Sequence, residues 1–368
     1  MKNIFKIIFV IIGTLIGAGF ASGQEMYIFF YSYGINGLRR LILSSVFLWI
    51  IIYKTLSIIF KYDISNYKEF INLIINNKKP KKEYLNIKNI LNIVINIFIL
   101  ITFFIMVAGF GAYFEQQIKI NHFIGSSIFA LSCFFVFKSN VKGLIRVNEI
   151  LIPILILLII LIGILNFSKI NIGNSINDIL SKASSGWIIS SLLYTSYNSI
   201  LLIPTLITLK NYIKNKKSVV IISLISILII IILSIILFFI LTNIDIDISQ
   251  LEMPIVYVIE KMFKGLIIVY GFIIISSIFT TSISLGTSFL QNVVKNKKNY
   301  THIAFIMCIT SVVVSNLGFS NLVNLLYPIF GYLGFFQILK ILIMKLDINK
   351  SNKKLLQKKQ WYSKMKKK

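Results

Sequence analysis

The sequence predicts an all-α integral membrane protein of ten transmembrane helices, arranged as two inverted repeats of five. Three observations lead to this prediction. The 368 residues are 57% hydrophobic and 14% charged, whereas soluble domains are typically about 45–50% apolar and about 25% charged. The apolar residues form ten long runs that largely exclude charge. The first and the sixth runs have polar centres, a pattern that is typical of inverted repeats.

The net charge of +26, from 38 Lys and Arg against 12 Asp and Glu, would also suit a nucleic-acid partner. We do not expect that partner, because the basic residues lie between the apolar runs, where they meet anionic lipid head groups. Cys133, Cys308, His122 and His302 are isolated from one another and have no spacing of a disulfide framework or a metal site. The sequence therefore predicts a lipid bilayer as the surroundings and no bound cofactor.

A membrane-spanning helix needs about 20 predominantly apolar residues. The candidate spans cover residues 4–33, 37–60, 89–114, 122–138, 149–167, 186–208, 218–242, 265–294, 302–317 and 321–345. The first span is too long for one straight crossing, and it continues past Gly23 without a typical cleavage site, so we do not interpret it as a signal peptide. We expect a short amphipathic helix around Tyr67–Ile75 in the polar loop 61–88, and a basic cytoplasmic tail over 346–368.

The distribution of Lys and Arg predicts the orientation, because cytoplasmic loops carry an excess of these residues. With the N-terminus inside, 30 of the 38 basic residues fall on inner segments and seven on outer segments. Lys54 lies within the second span near its inner end, where its side chain can reach the interface. Arg39 and Arg40 are the notable pair on the outer side. We therefore expect both termini in the cytoplasm.

The middle of the first span is rich in glycine. Gly13, Gly17, Gly19 and Gly23 fall within eleven residues, and each glycine costs a helix interior about 1 kcal/mol relative to alanine. We interpret residues 17–23 as an unwound segment whose amides and carbonyls face a polar cavity, since unsatisfied backbone cannot face lipid. The alternative is a tight seam between helices, which small residues also favour.

The sixth span has a polar centre of its own. Residues Thr195–Ser199 are followed by Pro204. A proline removes a helical hydrogen bond, so we expect a second broken helix here. Breaks in spans one and six predict two inverted five-helix repeats, over 1–167 and 168–345. In that architecture the ends of the half-helices meet near the midplane of the membrane and bind substrate and coupling ions.

The eighth span carries a stripe of hydroxyl side chains at helical spacing. The stripe consists of Ser277, Thr280, Thr281, Ser284 and Ser288. One interpretation is that these oxygens bind Na+ together with carbonyls of the broken first span. The alternative is hydrogen bonding back to carbonyls of their own helix. The spacing does not distinguish Na+ from H+.

Glu25 is the one acidic residue well inside a span. An ionisable group at a helix centre costs about 2.5–3.5 kcal/mol to insert and is a functional candidate by default. It could balance a cation, carry a proton or meet a substrate amine; alternatively it is a structural partner of a hydroxyl or of Arg39 and Arg40. Tyr113 in the third span could hydrogen-bond a substrate, although interfacial tyrosines are common. The outer segment 243–264 is a candidate re-entrant lid.

The segment Gly17–Glu25, Gly-Ala-Gly-Phe-Ala-Ser-Gly-Gln-Glu, resembles the YkvI-type family of bacterial membrane proteins in the amino acid–polyamine–organocation superfamily. Residues Tyr194–Asn198 and the pair Tyr327 and Pro328 fit the same family. The resemblance covers the chain except for its Lys-rich tail. It implies a LeuT-like fold in the bacterial cytoplasmic membrane, and a secondary transporter of an amino acid or related small amine driven by Na+ or H+.

The resemblance also assigns roles to the residues that match its motifs. The expected substrate-binding residues are Gly17, Ala18, Gly19, Ala21, Ser22, Gly23, Tyr197 and Asn198, together with Glu25 and Tyr113, which are candidates from their positions alone. The expected ion-binding residues are Gly17, Thr280, Thr281 and Ser284. Glu25 is less usual in LeuT-like amino-acid carriers, which leaves room for proton coupling or a cationic substrate.

A second function class stays open. The same scaffold could serve a ligand-sensing membrane subunit with little or no net transport, as in spore-germinant receptors. We do not expect an enzyme or an ATP-driven pump, because the chain has no Gly-x-x-x-x-Gly-Lys-Ser/Thr loop and no constellation of acids, His and Cys within the spans. The sequence does not indicate the oligomeric state.

Overall fold

The computed structural model describes residues 2–75, 83–167, 187–242, 251, 253–262, 264–294 and 296–344. The regular elements in these ranges are all helical. In chain order the α-helices are α1 Lys2–Leu15, α2 Ala18–Ser22, α3 Gln24–Phe29, α4 Ile35–Tyr62, α5 Tyr67–Ile75, α6 Glu83–Tyr113, α7 His122–Lys138, α8 Asn140–Phe167, α9 Trp187–Thr208, α10 Lys216–Leu241, α11 Pro254–Met262, α12 Ile267–Val293, α13 Tyr300–Ser315 and α14 Phe319–Ile343.

Several of these helices are long and apolar enough to cross a membrane. By length and composition, α4, α10, α12 and most of α6 and α8 meet this criterion. Large apolar side chains such as Leu157, Ile232 and Val313 are exposed on the outside of the bundle, which suits contact with lipid. The chain is therefore a multi-pass membrane protein. The count of ten spans and the inner position of the termini remain predictions, because 168–186 and 345–368 lie outside the described residues.

The segment between the second and third spans contains the short helix that the sequence predicts. This helix, α5, packs against α6, α9 and α14 and buries Tyr67 and Phe70 completely. Nearby, the Nζ atom of Lys54 in α4 donates to carbonyls at the C-terminal end of α14, at 3.3 Å from Ile341 and 2.5 Å from Leu342. Lys54 therefore caps a neighbouring helix, where a positive charge is favoured by the helix dipole.

α1 lies at the centre of the bundle. Its side chains from Ile7 to Ile12 are largely without exposed surface, and the helix packs against α8, α9, α10 and α12. The stretch from Ile7 to Ile12 is apolar on all its faces, as expected for a helix segment in such a buried position. Because protein surrounds the end of α1, irregular backbone there is shielded from lipid, which is the condition under which a membrane protein tolerates it.

The sixth span is not broken, so the prediction from its polar centre was wrong. α9 runs without interruption over Trp187–Thr208 and contains Pro204. The hydroxyls of Thr195 and Ser199 and the side-chain amide of Asn198 each donate to the carbonyl four residues earlier, at 2.6–3.0 Å. Such bonds pair polar side chains within a continuous helix. The division of the chain into repeats at residue 167 stays a prediction.

Candidate functional site

The first span is interrupted twice, at Gly17 and at Gly23. α1 ends at Leu15, and Gly17 is extended, with φ −97° and ψ −168°. One helical turn, α2, then covers Ala18–Ser22, and Gly23 adopts φ +88° before α3 begins. The prediction of a continuous unwound segment over 17–23 was thus too broad. Alanine and serine can continue a helix, and the amide of Ala21 bonds the carbonyl of Gly17 at 3.0 Å.

Glycine is favoured at both interruptions for different reasons. The left-handed φ of Gly23 is strained for any residue with a Cβ atom. At Gly17 the backbone is allowed for other residues, but an ideal Cβ atom would lie 3.3 Å from the hydroxyl oxygen of Thr281 in α12. Gly17 therefore allows α12 to approach the break closely.

Thr281 joins α12 to the end of α1. Its hydroxyl lies 2.7 Å from the carbonyl oxygen of Gly13 and 3.1 Å from that of Ile16. The last carbonyls of a helix have no intrahelical donor. The hydroxyl of Thr281 has a single proton for the two carbonyls, so it satisfies their hydrogen-bonding capacity only in part. The arrangement gathers three oxygen atoms at the break.

The remaining hydroxyls of the predicted ion site face their own helix. Thr280 donates to the carbonyl of Ser277 at 3.1 Å, and Ser284 donates to that of Thr280 at 2.9 Å. Back-bonding therefore accounts for these two residues, whereas Thr281 alone of the three bonds the first span in the described structure. Asn198 likewise bonds within its own helix, to the carbonyl of Tyr194 at 3.0 Å.

Glu25 is buried beside the second interruption, with 1% of its surface exposed. Its Oε1 atom accepts a hydrogen bond of 3.4 Å from the hydroxyl of Tyr197, and Oε2 has no hydrogen-bond partner among the described residues. The side chain folds back over Gly19, where an ideal Cβ atom would lie 2.6 Å from Oε1 and 2.8 Å from Cγ. Gly19 thus provides the space that the acid occupies.

The arginines considered as partners of Glu25 make other contacts. Arg39 donates to the side chain of Asn36 at 3.2 Å. Arg40, which is fully buried, stacks its guanidinium 3.1 Å above the centre of the Tyr33 ring. Glu25 forms no ion pair among the described residues.

Aromatic side chains connect α3 to α9 next to Glu25. Phe29 stacks parallel to Tyr197, with ring centres 6.5 Å apart, and meets Tyr194 edge-on at 5.2 Å. Phe30 also meets Tyr194 edge-on, at 4.8 Å. Aromatic pairs in these geometries contribute about 0.5–1.5 kcal/mol each beyond the burial of their area. The helix that carries Glu25 is therefore held firmly against the helix that carries Tyr197.

Two further tyrosines, Tyr270 and Tyr113, place their hydroxyls against backbone near the interrupted segment. The hydroxyl of Tyr270 in α12 donates to the carbonyl of Ala21 in α2. The hydroxyl of Tyr113, a predicted substrate contact, lies against the backbone of Gly271. Sequence reasoning missed Tyr270, although it precedes Ser277 by seven residues and so extends the hydroxyl stripe by two helical turns.

A second residue that sequence reasoning missed is Asn148 in α8. It is fully buried, its amide donates to the carbonyl of Leu144 at 2.9 Å, and its Oδ1 atom lacks a partner among the described residues. Oδ1 lies where a Cβ atom on Gly13 would be. Gly13 thus contacts α8 with its Cα atom and α12 with its carbonyl. An asparagine at the edge of an apolar span is the signal that could have found it.

The segment predicted as a lid contains the helix α11. It packs against α2, α10 and α12, and Ile255 lies 2.6 Å from the position of a Cβ atom on Gly23. Just before it, the carbonyl of Leu251 accepts a hydrogen bond from the side chain of Gln24. Residues 243–250 of the predicted lid lie outside the described residues. The described part of the segment covers the second interruption.

The chain is similar in sequence to two proteins of Bacillus subtilis strain 168. It is 25% identical over 348 residues to the protein described as the uncharacterized membrane protein YkvI, and the match covers 89% of this chain and 92% of YkvI. It is also 25% identical over 343 residues to the protein YyaD, with coverage of 92% and 96%. No family model matches the chain.

The fold is similar to solved structures of LeuT-fold transporters. MhsT in complex with L-phenylalanine matches with a TM-score of 0.65 at 15% identity, over 90% of this chain and 87% of MhsT. A Na+-coupled sialic acid symporter in a substrate-bound outward-open state matches with a TM-score of 0.54 at 14% identity, over 93% and 86%. The sequence matches confirm the resemblance to YkvI-type membrane proteins, and the structural matches show that the chain has the LeuT-like fold.

Proposed function

We propose that the protein is a secondary transporter of an amino acid or related small amine, which works by alternating access and is coupled to Na+ or H+. The observation that carries the proposal is the interruption of the first span at Gly17, inside the bundle, with Thr281 bonded to the carbonyls of Gly13 and Ile16. Interrupted helices place carbonyls and helix ends where transporters bind substrates and ions. One fold neighbour is in complex with L-phenylalanine and the other is a Na+-coupled sialic acid symporter, which agrees with this class.

The proposed cation site lies between α1 and α12. Na+ is a hard cation, for which carbonyl and hydroxyl oxygens are suitable ligands. The carbonyls of Gly13 and Ile16 and the hydroxyl of Thr281 provide three such oxygens close together. Thr280 and Ser284 donate their protons within α12, which leaves lone pairs on their oxygens, but neither bonds the first span in the described structure. We therefore assign the main role on α12 to Thr281.

The proposed substrate site lies between the interruptions at Gly17 and Gly23, on the side where Glu25 meets Tyr197. The short helix α2 between the interruptions contains Ala18, Gly19, Ala21 and Ser22, which the motif suggests as contacts of this site. Tyr270 fixes the carbonyl of Ala21 and so orients α2 from α12. Movement at the two glycines would open or close this site toward either side of the membrane.

The similarity to a membrane protein of Bacillus subtilis supports a bacterial cytoplasmic membrane, and the distribution of basic residues supports both termini on its inner side. In that orientation the N-terminal half of α1 faces the cytoplasm. Lys6 there lies 3.5 Å from Glu149 at the beginning of the fifth span. This ion pair would join α1 to α8 on the inner side.

Transport in reconstituted vesicles tests the proposal. Purified protein in liposomes is given an inward Na+ gradient or an inward H+ gradient, and uptake of labelled amino acids and small amines is measured one solute at a time. We expect uptake of at least one solute that disappears when an ionophore removes the gradient, and that is absent from protein-free liposomes. Absence of gradient-dependent flux for every amino acid and amine would overturn the proposal, and saturable binding without flux would favour the ligand-sensing alternative.

A further inference from the structure

The carboxyl group of Glu25 has one paired and one unpaired oxygen. Oε1 accepts from Tyr197, whereas Oε2 has no partner among the described residues although only 1% of the residue surface is exposed. The ion pairs found in the described part of the chain involve other acids. A buried carboxylate without a counter-charge is strongly destabilising. A positively charged ligand would therefore stabilise the ionised form of Glu25.

The position of this carboxyl group is fixed from two sides. The side chain is packed over Gly19 of α2, where a Cβ atom would lie 2.6 Å from Oε1 and 2.8 Å from Cγ. On the α9 side, the ring of Tyr197 is stacked against Phe29, and its hydroxyl holds Oε1. A binding group that is oriented before the ligand arrives loses less entropy on binding. Glu25 is thus placed as a recognition group rather than as a mobile surface acid.

We propose that Glu25 binds the ammonium group of the transported solute, and that this solute is a primary organic amine; the inference rests on the proposed transport function. An ammonium group has three N–H donors and no acceptor. It can therefore form a charge-assisted hydrogen bond to the free Oε2 atom. The aromatic rings of Phe29 and Tyr197 next to the carboxyl group also suit an organic cation, since cations are attracted to ring faces.

An inorganic cation fits this position less well. A hard cation such as Na+ is held by several oxygen ligands that replace its water. The hydroxyl of Tyr197 is the one polar group that bonds the Glu25 carboxyl among the described residues. The junction at Thr281 instead gathers a hydroxyl and two carbonyls. The two ends of the interrupted segment therefore suit different cations: Na+ at Thr281 and an ammonium group at Glu25.

Binding measurements with matched probes test the inference. The thermal stability of purified protein in detergent is measured with 2-phenylethylamine, with putrescine, and with 3-phenylpropionate, which has a carboxylate in place of the amine. Ligands that bind the native state raise its melting temperature. The test variant is Glu25→Gln, which keeps the size of the side chain and can still accept from Tyr197. The control is Glu260→Gln, which removes an exposed acid on α11.

We expect at least one amine to stabilise the unmodified protein and the Glu260→Gln control, and 3-phenylpropionate to have no effect. The dissociation constant for the amine should rise about 10- to 100-fold in Glu25→Gln, in line with the loss of a charge-assisted hydrogen bond. The melting temperature of Glu25→Gln without ligand shows whether the variant is folded. Tyr197→Phe keeps the ring and should weaken amine binding less than Glu25→Gln does.

Two results would overturn the inference. One is an equal effect of amines on the unmodified protein and on folded Glu25→Gln, and the other is no stabilisation by either amine at millimolar concentration. The vesicle assay separates this failure from failure of the proposed function. If a neutral solute is taken up equally well by the unmodified protein and by Glu25→Gln, the proposed transport function is supported and the proposed role of Glu25 is wrong. If amines bind through Glu25 but no flux is measured, the role of Glu25 is supported and the transport function is wrong.

Discussion

Replacing Thr281 with valine should loosen the junction between α1 and α12 while keeping the shape of the side chain. The hydroxyl has one proton for the carbonyls of Gly13 and Ile16, at 2.7 and 3.1 Å, so its loss counts as about one hydrogen bond. Such a bond contributes about 1 kcal/mol in proteins generally, and bonds between membrane helices average about 0.6 kcal/mol. We expect Thr281→Val to lower the free energy of unfolding by about 1 kcal/mol.

Thr281→Val should reduce the stabilisation of the protein by Na+ more than it reduces the stability of the protein without Na+. If Na+ binds at this junction, a concentration about 100 times its dissociation constant stabilises the protein by about 2.7 kcal/mol. The valine variant should lose most of this gain. The assay is the melting temperature of detergent-solubilised protein in NaCl and in choline chloride at equal ionic strength.

Thr102→Val is the matched control, because Thr102 is fully buried in α6 and its hydroxyl bonds the carbonyl of Phe98 in its own helix, at 2.8 Å. The control should keep the difference between NaCl and choline chloride. An equal Na+ response in Thr281→Val and in the unmodified protein would refute the assignment of the cation site. A protein that responds to pH but not to Na+ would leave H+ as the coupling ion and Thr281 as a structural bond.

Three further predictions concern other contacts of the same core. Gly19→Ala should reduce uptake about tenfold or more with normal membrane insertion, because its Cβ atom would collide with the carboxyl group of Glu25 and displace it, and displacements of about 1 Å at a site can cost that much; uptake equal to that of the unmodified protein would contradict this. Tyr270→Phe removes the bond to the carbonyl of Ala21 and should lower the free energy of unfolding by about 1 kcal/mol, measured by thermal unfolding; an unchanged melting temperature would count against it. Lys54→Met removes the donor and the charge at the C-terminal end of α14, so amide hydrogen exchange there should speed up while exchange in α10 stays the same.

The fold class followed from the sequence because apolar runs and charge exclusion are direct consequences of the bilayer. The glycines also located the interruption in the first span. They did not indicate its form, since the helical turn Ala18–Ser22 between Gly17 and Gly23 depends on bonds such as that from Ala21 to the carbonyl of Gly17. Glycine content predicts where a helix is weak, whereas tertiary packing decides which residues leave it.

The polar residues of α9 show a different limit. Thr195, Asn198 and Ser199 are compatible with a broken helix and with back-bonding, and the two alternatives have the same sequence pattern. Tyr270 and Asn148 were missed for a related reason. Their contacts, to Ala21 and to Gly13, join residues far apart in the sequence, and nothing in the local pattern of a single chain indicates such a pair.

The contact between Gly19 and Glu25 has a consequence for how this segment can evolve. The carboxyl group fills the space that the missing side chain leaves, so the two positions share a single volume. A substitution that adds a methyl group at position 19 should be accepted only together with a shorter residue at position 25, and Gly19→Ala with Glu25→Asp should be better tolerated than Gly19→Ala alone. Among related proteins, the residue types at these two positions are therefore expected to vary together.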